Sequence, residues 1–329
     1  VIDNLTRNLY NKIPVSIFFA FFNGEFLMRI NAACVTIFIT IIFCCPSTVL
    51  AGNNTNKKKT GVPQLHSPIR LTMTPEGNLL VSDYQLGMIV TVDRSTLKAT
   101  SWFPVQGKPL GVAYARGHIY VGNVSNKCVE VYARRGKKLY QLNGVIKKPT
   151  DIAVDEKQGL VFVVDADQKL VKVFNLKGKF IRAFPGLDPD NLVDPTGITL
   201  DADAKEVLVS DYGDTTNFIY PRIQIFDYEG NLVYTIPGKK GMLGMRFSRP
   251  QGLVIDESGH VFMVDCYSGE IMVFDRYNGN TLKTMAGYGI DPGQLRLPLD
   301  IVMNPSSKDI YVTNNRSATI EIFEKGGAL

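Results

Sequence analysis

Pro149-Thr-Asp-Ile-Ala-Val-Asp-Glu-Lys-Gln-Gly-Leu-Val-Phe-Val-Val-Asp165 decides the architecture of this chain, because it is one of six variants of a single phrase. Each copy opens on a proline and reaches an Asp or Asn fourteen to sixteen positions later: Pro68/Asp83, Pro109/Asn123, Pro149/Asp165, Pro195/Asp211, Pro250/Asp265 and Pro298/Asn314. A period of about 40–55 residues is the mark of a propeller or solenoid. The third and fifth positions after each proline are apolar, as in Ile152/Val154, Ile198/Leu200 and Leu253/Ile255, with small residues such as Ala153 and Gly252 nearby. Alternation of period two predicts a strand.

Working outward, a turn with Gly or Asp/Asn follows (Ser258-Gly259-His260), then a second strand rich in β-branched and aromatic residues that ends on the Asp/Asn. Val161–Asp165, Val261–Asp265 and Ile310–Asn314 superimpose without gaps. A third strand alternates strictly (Val171-Lys172-Val173, Ile223-Gln224-Ile225, Ile320-Glu321-Ile322), and a fourth follows a Gly turn (Gly178–Arg182, Gly230–Tyr234). Four short antiparallel strands make a blade and six repeats make six blades, so the expected fold is an all-β, six-bladed β-propeller over residues 68–329. No blade buries both faces alone, so the ring is the folding unit.

Asp194-Pro-Thr-Gly-Ile-Thr-Leu-Asp201, Val209-Ser-Asp211 and Arg222-Ile-Gln-Ile-Phe-Asp227 together resemble the consensus blade of the NHL-repeat family, and Gly287–Leu295 resembles its inter-blade linker. The resemblance covers nearly all of the chain from residue 68 and implies the same six-bladed ring; Asn123 and Asn314 depart from the family's Asp but keep an acceptor. The last blade stops after its third strand. It is expected either to borrow Val62-Pro-Gln-Leu65 as a closing strand or to remain three-stranded.

Ahead of the repeats, Met28-Arg29, an apolar run from Ala32 to Cys45 and the ending Val-Leu-Ala51 describe a secretory signal peptide over residues 28–51. The run is short for a membrane span, which needs roughly 20 apolar residues. Residues 1–27 read as an upstream extension and residues 52–67 as a polar leader. The expected location is periplasmic or secreted, of an exported bacterial type; the alternative is a chain anchored through residues 28–51, which would be its one membrane contact. Beyond residue 51 stand only Cys128 and Cys266. They fall in blades two and five, too far apart round the ring to pair, with Cys266 at a loop position and expected to be the more exposed. A formal net charge of +5, with no contiguous basic patch beyond Lys57–Lys59, gives no support to nucleic-acid binding.

Six acceptors at blade ends invite a metal reading. Asx side chains, however, cap turns by accepting backbone N–H bonds, and a recurring structural need explains a recurring residue. Asp83, Asn123, Asp165, Asp211, Asp265 and Asn314 are therefore expected to be turn caps. The informative positions are those that do not repeat. Two residues after the proline, three blades carry Gly111, Gly197 and Gly252, and three carry Arg70, Asp151 and Asp300. Charge near a channel mouth is expected to be wet or paired, and blades six and one adjoin, so Asp300 and Arg70 are expected to meet. The loops between second and third strands, with Tyr84, Tyr212, Tyr267 and Arg316 and the enlarged Gly213–Arg222 segment, open on the same face. Loops on a rigid scaffold are the usual seat of binding.

No enzyme signature stands out. The fold resembles that of peptidyl-hydroxyglycine lyase, whose zinc is held by histidines, but His66, His118 and His260 lie on opposite faces and cannot converge. Gluconolactonase-type propellers hold a divalent metal with Glu, Asp and Asn; only Asp151 and Asp300 are partial matches. The expectation is a monomeric exported scaffold that binds a protein partner or a cell-envelope ligand through Arg70, Asp151, Asp300, Tyr84, Tyr212, Tyr267, Arg222 and Arg316, with no cofactor and no metal. A metal-assisted lyase or hydrolase working at the channel mouth is the alternative.

Overall fold

The computed structural model describes residues 16–22, 25–32, 35–41, 64–185, 191–237 and 246–324. The chain divides into two units, residues 1–59 and 60–329. In the first, Ser16–Phe22, Glu25–Ala32 and Val35–Ile41 form a three-stranded antiparallel sheet in chain order. The expected cleavage point after Ala51 and the leader from Gly52 to Pro63 lie outside the described residues. Among the described residues no helix is long and apolar enough to cross a membrane.

The second unit is a six-bladed β-propeller. Blade 3 shows the pattern: Pro149–Asp155, Leu160–Asp165, Leu170–Asn175 and Phe180–Phe184 pair in order, each antiparallel to the last. Blades 1, 2, 4 and 5 open on Pro68, Pro109, Pro195 and Pro250 and are likewise four-stranded. Blade 6 shows three strands among the described residues, Pro298–Met303, Ile310–Asn314 and Thr319–Phe323. Each first strand lies against those of its two neighbours, blade 6 against blade 1, so the ring closes. Of the anticipated closing piece, Val62 and Pro63 fall outside the described residues. Gln64 and Leu65 are not in a strand; Leu65 packs on the apolar cluster between blades 6 and 1.

The core is six apolar layers, one between each pair of blades. Ala113, Val129, Val131, Ile152, Val161 and Phe174 fill the gap between blades 2 and 3; Phe162, Val164, Ile198, Val207 and Phe226 fill the next. Alternation along each strand sends one set of side chains to each neighbour, and burying one Val, Leu, Ile or Phe is worth about 1.5–3 kcal/mol. Hydroxyls add cross-blade ties: Ser82 donates to Leu110 O (2.5 Å), Ser210 to Gln251 O (2.5 Å) and Thr313 to Ile69 O (3.0 Å).

The blade-end Asp/Asn residues are buried; Asp83, Asn123, Asp211 and Asp265 cap the following turn as expected, whereas Asp165 and Asn314 correct that expectation by bonding the segment that enters the blade instead. Asp83 accepts from Leu86 N in that turn, but also from His66 N (2.6 Å) and Ser67 N (3.0 Å) in the segment entering the blade. Asp165 takes Lys147 N and Lys148 N, Asp211 takes Val193 N and Asp194 N, and Asp265 takes Ser248 N and Arg249 N. Where the cap is Asn the polarity partly inverts: Asn123 donates its amide to Gln106 O and accepts from Asn126 N, and Asn314 accepts from Arg296 N.

The buried third-strand partner changes with it. Lys172 meets Asp165 at 2.9 Å, whereas Glu130 accepts from the Asn123 amide at 3.0 Å and from Lys138. Cys128 and Cys266 are both free thiols. Cys266 corrects the sequence expectation: though on the loop, its side chain turns inward and is the more buried of the two (3% against 7% exposed). Burial pushes its thiol up to about 12.

Candidate functional site: the proline-side mouth of the channel

Arg70, Asp151 and Asp300 come together as expected, but inside the channel rather than on its lip; all three are buried. Arg70 reaches out of blade 1 and donates to Thr150 O of blade 3 (3.2 Å), to Leu299 O of blade 6 (2.7 Å) and to Thr196 O of blade 4. Its guanidinium lies 3.4 Å from Asp300 and 3.7 Å from Asp151. Each carboxylate also crosses to the next blade: Asp300 accepts from Leu71 N (2.8 Å) and Asp151 from Ile198 N (3.0 Å). Two of the three glycines, Gly111 and Gly252, make room for this. A Cβ at Gly252 would collide with the Asp300 carboxylate, and one at Gly111 would stand 3.0 Å from the Asp151 Cα.

Two carboxylates share one guanidinium. Burial raises Asp300 to about 7, Arg70 pulling it back down and the Asp151 charge pushing it further up; Asp151 is also raised by burial, against the pull of Arg70. The cluster is a staple across the ring, tying blade 1 to blades 3, 4 and 6. A guanidinium stands where a metal bridging the two carboxylates would have to sit. Among the described residues no group of three His, Cys, Asp or Glu side chains is placed to hold a metal ion.

Above the staple is a vestibule of about 280 Å³. Its wall is built from the residue after each proline. Blades 6, 1 and 2 contribute Leu299, Ile69 and Leu110, and blades 3, 4 and 5 contribute Thr150, Thr196 and Gln251. One half is therefore apolar and the other polar, with Arg70 as floor. The residue before the proline adds Lys148, Asp194 and Arg249 over the polar half. The fold holds these three in place: Ala166 N donates to Lys148 O, Tyr212 N to Asp194 O and Cys266 N to Arg249 O, the same bond in successive blades.

Tyr212 and Tyr267 do meet, through a residue the sequence analysis passed over. The Arg249 guanidinium lies 4.9 Å from the Tyr212 ring centre and 5.2 Å from that of Tyr267, and donates to the Tyr267 hydroxyl at 2.6 Å. Lys148 is half-exposed, 3.9 Å from Asp167. Burial raises the Asp194 carboxyl, while the charges of Arg249 and Lys148 hold it down.

The remaining expected site residues are dispersed. Tyr84 is exposed beside Lys108, whose ammonium lies 5.2 Å from its ring. Arg222 is tied to Asp211 (3.0 Å) and donates to Asn191 O (2.6 Å), so it braces the enlarged loop. Arg316 is exposed at the end of blade 6. The enlarged loop carries a 3-10 turn, Thr215–Asn217, capped by Asp214, and presents Phe218 to solvent.

No protein-family model matches the chain. In sequence it is similar to protein brain tumor of Drosophila melanogaster, 24% identical over 143 residues; that is 43% of this chain and 12% of the length of that relative. Two solved structures share the fold. Kuenenia stuttgartiensis hydrazine synthase superposes with a TM-score of 0.58 at 18% identity, over 83% of this chain and 80% of the other. Virginiamycin B lyase from Staphylococcus aureus superposes with a TM-score of 0.56 at 15% identity, over 80% of this chain and 87% of the other. These likenesses and the blades themselves make residues 68–323 a six-bladed β-propeller, with the similarity to protein brain tumor supporting an NHL-like nature of its repeats.

Proposed function

We propose that this protein is an exported binding scaffold that engages a protein or cell-envelope ligand through its proline-side face. The observation that carries the proposal is the vestibule: a walled cavity on a rigid ring, apolar on one side and polar on the other, with Arg249 held between two tyrosines on its rim. Concave sites with a few fixed polar groups on an apolar wall are the usual form of ligand pockets. Aromatic and arginine side chains are the commonest binding anchors. Export rests on the sequence of residues 28–51.

The likeness to virginiamycin B lyase keeps a lyase or hydrolase in view. Against it stands the geometry of the channel, where Asp151 and Asp300 are committed to Arg70 and to backbone N–H groups. The test is affinity capture with the full chain, comparing wild type with a Tyr212→Ala, Tyr267→Ala double variant. Loss of the captured partners supports the proposal; equal capture by both places recognition on another face.

A further inference from the structure

Resting on the vestibule as binding site, we infer that its ligand is a monocarboxylate joined to an aliphatic arm: the free C-terminus of a peptide ending in an aliphatic residue, or a free aliphatic acid of similar size. Lys148 and Arg249 stand over the polar half with Asp194 between them in ring order. Lys148 already faces Asp167 at 3.9 Å, so Arg249, bonded to a neutral phenol, is the rim cation best placed to receive a monoanion. A dianion such as a phosphate monoester would add negative charge beside Asp194 and above the two channel carboxylates.

Arg70 is already engaged by those carboxylates, which leaves the rim cations to bind the anion. Arg249 is pre-positioned for the task, since stacking and the bond to Tyr267 hold its planar fork in one orientation. Opposite, Ile69, Leu110 and Leu299 are half-buried and line the same cavity. An aliphatic group there leaves water at no cost in lost hydrogen bonds, and Gln251 places a neutral amide beside the carboxylate, the Thr150 and Thr196 hydroxyls being donated to Val164 O and Pro250 O. The size of the cavity suits a group of one or two residues, not a folded surface.

The test is a heteronuclear NMR titration of the full chain with three probes: acetyl-Gly-Gly-Leu with a free carboxylate, the same peptide as its C-terminal amide, and isocaproate. The free acid is expected to bind about tenfold or more tighter than the amide, the size of one lost charge-assisted hydrogen bond. The Lys148→Gln, Arg249→Gln double variant should bring that ratio close to one. Isocaproate binding as tightly as the peptide acid assigns the ligand to free acids; a tighter peptide assigns it to a chain terminus. Acid and amide binding equally to wild type, or neither shifting any vestibule resonance, overturns the inference without recourse to a variant. The capture experiment above is independent: partners lost with the tyrosines while acid and amide bind alike would reject the carboxylate and leave the binding face standing.

Discussion

The channel floor and the vestibule rim are built from residues that neighbour one another in sequence, yet they do opposite work. Floor and rim both depart from the repeat. On the floor, Arg70, Asp151 and Asp300 are buried and their charges are met by each other and by backbone groups of blades 1, 3, 4 and 6. On the rim, Arg249 is met by a phenol and two ring faces, and Lys148 is half-exposed. Variation between blades therefore marks where the ring departs from its repeat, and burial separates the floor, whose charges hold blades together, from the half-exposed rim. A satisfied buried ion cluster serves architecture; a half-exposed cation on an aromatic rim has capacity left over.

The sharpest way to break this comparison is Arg70→Met. Removing the guanidinium leaves Asp151 and Asp300 buried without a cation, which is expected to cost about 3–5 kcal/mol and to lower the thermal midpoint steeply. A variant melting like wild type would mean that the floor does not hold the ring. Asp300→Asn tests the same cluster through pH. In the unfolded chain this carboxyl ionises near ~3.9, and in the folded protein at about 7. Its contribution to stability is thus fully present below pH ~4 and is lost as the pH rises toward ~7. Wild type should lose stability across that window relative to Asp300→Asn, which keeps an acceptor for Leu71 N; parallel melting curves from pH 4 to 8 would contradict the assignment.

Lys172→Met removes a buried partner of Asp165 while that carboxylate keeps its two backbone donors. The expected loss is about 2 kcal/mol in chemical denaturation, which would sharpen the distinction between cap and partner. Arg249→Ala should change least in stability, about 0.5–1 kcal/mol for the lost ring contacts, and most in ligand binding. If Arg249→Ala destabilised the ring as much as Arg70→Met, the rim would be another staple.

The blade itself was legible from short-range pattern. Alternation around Ile152/Val154 predicted the first strand, and the proline and Asp/Asn positions framed the rest. Caps toward the following turn were anticipated at all six positions and form at Asp83, Asn123, Asp211 and Asp265. The upstream partners, such as Lys147 N and Lys148 N on Asp165, lie 18 and 17 residues away and appear only once the blade has folded. Arg249 was overlooked because it sits just outside the repeated phrase, in a linker that reads as variable. Setting the residues on either side of each proline beside one another would have exposed the change from Ile69/Leu110/Leu299 to Thr150/Thr196/Gln251.

By itself, then, the sequence determined the strands, the blade and the number of blades, because period-two alternation and proline placement act within a few residues. Only the tertiary structure decided what the exceptional residues do. Arg70 finds its partners 80, 126 and 229 positions away, at Thr150, Thr196 and Leu299. Ring closure brings them together, and with them comes the burial that ties Arg70, Asp151 and Asp300 into a cross-ring staple beneath the vestibule.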